Sequence, residues 1–231
     1  VEGALSWTIP TAAFTLWYYL SAPVAASLAE RVPSLAPAAF ASVVRKFSGG
    51  IIFAAVWILW ALVADDPHIP TVTVPLLVVN SGFGGIAATC GLALTLAGFV
   101  AISSRSPKMH ALYPEFRQPT ASPSQRALSA SSWMVYLAGY ELLFRGVILS
   151  VAISALGLWA GIAAHTALYV LAHLHKPAGE TLSCFLIGPV FALVALEYGI
   201  VAAWFVHCAV AITGEQVSGT TNPQTNWTLR T

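Results

Sequence analysis

Seven stretches of the chain are apolar for most of their length, near 11–29, 49–64, 74–102, 132–153, 156–174, 183–198 and 200–216. A bilayer core about 30 Å thick is crossed by roughly 20 apolar residues in a helix. In lipid only a helix or a closed barrel satisfies its own backbone. None of these stretches alternates with period two, as a barrel strand would. The pattern predicts an all-α fold, a polytopic membrane bundle of about seven transmembrane helices. Only the turn Glu197-Tyr198-Gly199 parts the last two spans, so six and eight are the neighbouring counts.

The polar positions orient these spans. Arg31, Arg45 and Lys46 follow the first, Arg105, Lys108, Arg117 and Arg126 the third, Lys176 the fifth and Arg230 the seventh. With simple alternation, nine of the ten basic residues fall on one side, the side that loops rich in Lys and Arg keep cytoplasmic or its organellar equivalent. Asp65 and Asp66 lie opposite. The expected location is multi-pass, in a plasma membrane or an organellar (thylakoid) membrane, with the carboxyl end on the basic, cytoplasmic or stromal, side. The same pattern divides the chain into a front three-helix part (1–102), a polar loop or linker (103–131), a four-helix core (132–217) and a polar tail (218–231). The chain opens on Val1, from which an upstream piece is expected to be missing and targeting is unreadable.

Composition agrees with a membrane chain: 58% of the residues are hydrophobic and 8% charged, about a third of the charged share of a soluble domain. A net charge of +1 supplies no field to grip a nucleic-acid backbone, so the expected partners are the lipid bilayer and other membrane proteins, not nucleic acid. Cys90, Cys184 and Cys208 are odd in number, show no CxxC spacing and lie in apolar runs, which indicates neither a disulfide framework nor a cysteine zinc site. The Asn226-Trp227-Thr228 sequon falls on the basic side and is read as chance.

Ionisable groups at membrane depth need a partner or a cavity. Glu141 and Arg145 are four apart on the fourth span, with the carboxylate on the amino-terminal side, the better order for an ion pair. His165, Tyr169 and His173 recur at steps of four on the fifth span, with His175 just beyond, and His207 adds an imidazole on the seventh. The front half offers only Asn80 by comparison. A carboxylate beside a histidine could hold and deprotonate water while another histidine donates to an oxyanion. The same groups could instead bind a metal such as zinc, or a haem or chlorophyll-type pigment, or serve as packing residues.

Tyr140 to Gly146, YELLFRG, resembles the first motif of the CPBP family, the intramembrane proteases that include type II CAAX prenyl endopeptidases and bacteriocin self-immunity proteins, where the pattern reads EExxxR. LYVLAHLHK resembles the family's FxxxH motif, with Tyr169 for Phe and His173 as its histidine. The stretch ending at His207 resembles the closing hairpin, with Gly199 and Trp204, before an HxxxN or HxxxD motif. The resemblance covers roughly 132–215. It implies catalytic roles for Glu141, Arg145, His173 and His207. Two expected groups are missing: the first glutamate, held in the family to activate water, is Tyr140, and the Asn or Asp held to polarise the carbonyl is Ala211. Adjacent helical residues point about 100° apart, so Glu141 does not reach the water of position 140 without a register shift or a bulge.

A degenerate, non-hydrolytic member acting as a structural or assembly subunit is therefore expected, with no cofactor. Its aromatic residues and the GxxxG pair Gly157 and Gly161 would serve as docking surface. The alternatives are an active CAAX-type endopeptidase taking a peptide substrate through Glu141, His173 and His207, and a pigment- or haem-associated subunit, for which His165 or His68 is better placed than His173 or His207.

Overall fold

The computed structural model describes residues 2–29, 35–64, 74–76, 82–174, 176, 178–225 and 227, with the side chains of 2–7, 63 and 64 excepted. These form helices α1 (Glu2–Ala29), α2 (Pro37–Ala64), α3 (Gly82–Ser103), α4 (Pro107–His110), α5 (Pro123–Glu141), α6 (Ser150–Leu156), α7 (Leu158–Ala172), α8 (Ala178–Tyr198) and α9 (Ile200–Thr221). Between α5 and α6 the chain continues without a break as a π-helix, Leu142–Leu149. Among the described residues six helical runs are long and apolar enough to cross a membrane, Pro123–Leu156 counting as one, and the 15-residue α7 is a shorter apolar helix. The protein is a polytopic helical membrane protein.

Several boundaries differ from those read off the apolar runs, each for a local reason. α5 starts at Pro123 rather than near 132 because Ser122 and Gln125 form a reciprocal capping box: Ser122 Oγ accepts from Gln125 N at 3.3 Å, and Gln125 Oε1 accepts from Ser122 N at 2.9 Å. Pro123 occupies the first helical position, where its missing N–H costs nothing. α2 likewise starts at Pro37, far ahead of 49, and Ala36 N donates to Gln118 Oε1 at 2.8 Å. This draws Arg45 and Lys46, expected in a loop, into the helix. Residues 74–76, expected in the third span, are not helical: the carbonyls of Pro75 and Leu76 accept from the N–H groups of Ile200 and Val201, each at 3.0 Å, and so satisfy orphan donors of the first turn of α9. Val74 N donates to Ser150 Oγ at 3.2 Å in the same strap.

The chain forms two compact units, the first made of 1–14, 52–89 and 138–204 and the second of 15–51, 90–137 and 205–231. In the first, the π-helix packs with α6, α7 and α8 around Leu143, Phe144, Val147, Ile162, Phe191 and Ala195, all buried. Gly157 (φ +79°) makes the turn from α6 to α7, and Gly199 (φ +91°) is the single residue between α8 and α9. Both conformations lie where a Cβ is strained. Gly161 fits directly onto the backbone of Ala152 and Ile153, so the GxxxG pair is used inside this hairpin, one glycine as a turn and the other as a close approach, and not as docking surface.

The second unit is built around Trp227, Phe116, Ala39 and Val43. It also has a polar interior. Glu215, wholly buried, accepts from the N–H groups of Glu115 at 2.9 Å and Phe116 at 2.8 Å and from Ser129 Oγ at 3.1 Å. Lys46, 4% exposed, pairs with Glu115 at 3.0 Å, donates to Ser42 Oγ and lies over the Trp133 ring at 4.3 Å. Buried charge thus extends beyond the back four helices to Lys46 on α2, a cation expected in a loop, and Glu215 on α9 adds a buried carboxylate to which the sequence pattern assigns no role.

Candidate functional site

The motif YELLFRG straddles the junction of α5 and the π-helix: Tyr140 and Glu141 are the last residues of α5, and Arg145 lies within the π turns. A π-helix widens the turn by one residue, the register change that a straight α-helix lacks, and such turns are frequent at functional sites. Close packing accompanies it. At Gly146 a Cβ would run into the Trp57 indole, at 2.6 Å from its Nε1.

Glu141 and Arg145 are both wholly buried and form a forked ion pair, with Nη1 to Oε1 and Nε to Oε2 each at 3.2 Å. The guanidinium lies over the rings of Tyr169, at 4.8 Å, and Phe191, at 5.1 Å. Two faces of α7 and α8 thus sandwich a charge that its own helix neutralises.

Tyr140 is 3% exposed, and its ring belongs to an aromatic cluster. It stacks on Phe144 at 4.3 Å and meets Phe14, Tyr169 and His173 edge-on at 6.2, 6.2 and 6.4 Å. Offset and edge-to-face contacts of this kind contribute about 0.5–1.5 kcal/mol each beyond area burial. His173 is not on the helical stripe as expected but at the carboxyl end of α7, where the helix stops at Ala172. There its Nδ1 lies 2.8 Å from the Tyr169 carbonyl, the arrangement of a donor to an orphan helix-end acceptor, and its carbonyl accepts from Thr181 Oγ1 at 2.7 Å. Its ring is tilted against that of Tyr169 at 4.5 Å.

Tyr140, Glu141, Arg145, Tyr169 and His173 are thus all members of the first unit, linked through the Tyr169 ring. His207 and Ala211 lie on α9 in the second unit. His165 is wholly buried, with Phe144 edge-on at 6.3 Å and Tyr169 parallel at 6.4 Å. His68, Asn80, His175 and Asn226 lie outside the described residues. Among the described residues no group of three or more His, Cys, Asp or Glu side chains is placed to hold a metal ion. The three cysteines are free thiols.

No curated protein matches the chain, and neither does any solved structure. The family model described as type II CAAX prenyl endopeptidase Rce1-like matches residues 124–213, which takes in the YELLFRG, YxxxH and His207 segments together. Residues 124–213 of this membrane chain are thus similar to the type II CAAX prenyl endopeptidase Rce1-like family.

Proposed function

We propose that the protein is a catalytically silent Rce1-like membrane protein that serves as a structural or assembly subunit. The observation that carries this reading is the Tyr140 side chain: where the family pattern has its first glutamate, a phenol ring packs into an aromatic cluster and is 3% exposed. A phenol with an ordinary pKa near 10 is a poor base at neutral pH. The one carboxylate of the motif, Glu141, has both oxygens against Arg145, and extracting a proton from water would cost it part of that pairing. His165, the residue better suited to a pigment or haem, has no exposed area through which a macrocycle would reach its ring.

A cleavage assay in lipid vesicles tests this with prenylated CAAX peptide as substrate. The unmodified chain is expected to release no product above the vesicle background, and Tyr140→Glu on its own is expected to stay silent, because its carboxylate would enter the aromatic cluster. Hydrolysis by the unmodified chain that Glu141→Ala or His173→Ala abolishes would establish the active endopeptidase instead. Cleavage by Tyr140→Glu alone would mean that the scaffold is catalytically intact and lacks only its base. The assembly role is tested separately by isolating the chain from its native membrane in mild detergent, where it is expected to migrate with other membrane proteins at a size above its own 24.3 kDa. Migration as a lone chain would count against the subunit reading.

A further inference from the structure

Beside the Glu141–Arg145 pair lies a set of polar atoms that the ion pair does not use. Both ring nitrogens of His165, the Nη2 atom of Arg145 and Oγ1 of Thr166 are buried with no hydrogen-bond partner among the described residues. His165 and Arg145 have no exposed area at all, and Thr166 is 6% exposed. The Arg145 guanidinium and the His165 imidazole both border the Tyr169 ring, at 4.8 and 6.4 Å. Native interiors leave few such groups unsatisfied, and each one costs about 1–3 kcal/mol. Four such atoms on the π-helix and α7, the Arg145 and His165 ones around one tyrosine ring, call for an occupant.

The charge balance selects its class. Glu141 cancels Arg145, so the surroundings are close to neutral and lie at membrane depth, where an ion would lose its hydration without a counter-charge. A buried water needs two to four polar partners, and Arg145 Nη2 as donor with one imidazole nitrogen as acceptor supplies two. The π-helix keeps Arg145 in the same packed layer as α7. We infer that the first unit holds an internal hydration site between the π-helix and α7, in which water bridges Arg145 Nη2 to the His165 ring. The site shares Arg145 with the YELLFRG motif but uses neither position 140 nor 173, and its existence does not depend on whether the chain cleaves peptides.

Water-edited solid-state NMR of the full chain in phosphatidylcholine vesicles, with histidine and phenylalanine labelled, reads this directly. The His165 ring signals, assigned by their loss in His165→Leu, are expected to receive magnetisation from water at short mixing times, as the partly exposed His110 does, while the buried Phe144 ring stays dark. The ring nitrogens are expected at the shifts of a hydrogen-bonded neutral imidazole. A His165 ring as dark as Phe144 overturns the inference. Thermal unfolding provides a second readout that survives poor expression of one variant: at a hydrated site His165→Gln keeps a bridge to water and melts close to the unmodified chain, whereas His165→Leu melts lower. If His165→Leu instead melts higher than both, the site is dry and the inference fails.

Discussion

Without Arg145, the Glu141 carboxylate would be left at membrane depth without its forked cation. Breaking a buried pair from one side costs about 3–5 kcal/mol, whereas replacing both partners with apolar groups of similar volume is often close to neutral. Arg145→Met and Glu141→Leu are therefore each expected to lower the thermal midpoint in detergent strongly, and the double variant is expected to melt above either single one. Additive losses in that cycle would show that the two side chains act independently. Gly146 makes a separate residue-scale test. Its missing Cβ is what lets the Trp57 indole approach the π-helix, so Gly146→Ala is expected to cost about 1–3 kcal/mol by overpacking, and Trp57→Leu in the same chain to recover part of it. Equal losses with and without the indole would mean that the alanine acts through the π-helical backbone instead.

At the scale of elements, the same physics decides which features were legible beforehand. The helical class and the turn at Gly199 follow from apolar runs and from a residue type that suits the turn, whereas the YELLFRG and YxxxH segments are legible through their resemblance to family motifs. The starts of α2 and α5 do not, because they are set by Gln118 and by the Ser122–Gln125 box, polar groups that lie outside the apolar run they extend. The π-helix was also hidden, since periodicity read at 3.6 residues per turn carries no mark of one widened turn. The Tyr140 position was legible as a departure, but its aromatic surroundings come from α1 and α7 and are not readable from the motif. Gly161 shows how an isolated pattern misleads: GxxxG is a docking signature only when both glycines face a partner, and here the first is a turn. Gly161→Leu is consequently expected to destabilise the chain itself, by a cost that does not change with protein-to-detergent ratio. A loss that disappears on dilution would restore the docking role.

For the molecule as a whole, the remaining question is which surface faces which compartment. Among the described basic residues, Arg45, Lys46, Arg105, Lys108, Arg117 and Arg126 all belong to the second unit, and only Arg145 and Lys176 to the first. Loops rich in Lys and Arg are retained on the cytoplasmic or equivalent side, so the 104–122 segment, fastened by Glu215, is expected on that side. Simple alternation would put Lys176 at the same surface. The length of α7 argues otherwise: 15 residues at about 1.5 Å each reach roughly 22 Å, short of a bilayer core of about 30 Å. With Cys90, Cys184 and Cys208 replaced by alanine, single cysteines at Lys108, Ala121 and Lys176 separate the two geometries in sealed, oriented vesicles. A membrane-impermeant maleimide on the basic side is expected to label positions 108 and 121 rapidly and position 176 slowly, with no labelling of any of the three from the opposite side. Labelling of position 176 as fast as position 108 would mean that α7 and its flanking residues complete a full crossing, and labelling of position 108 from the opposite side would reverse the orientation altogether.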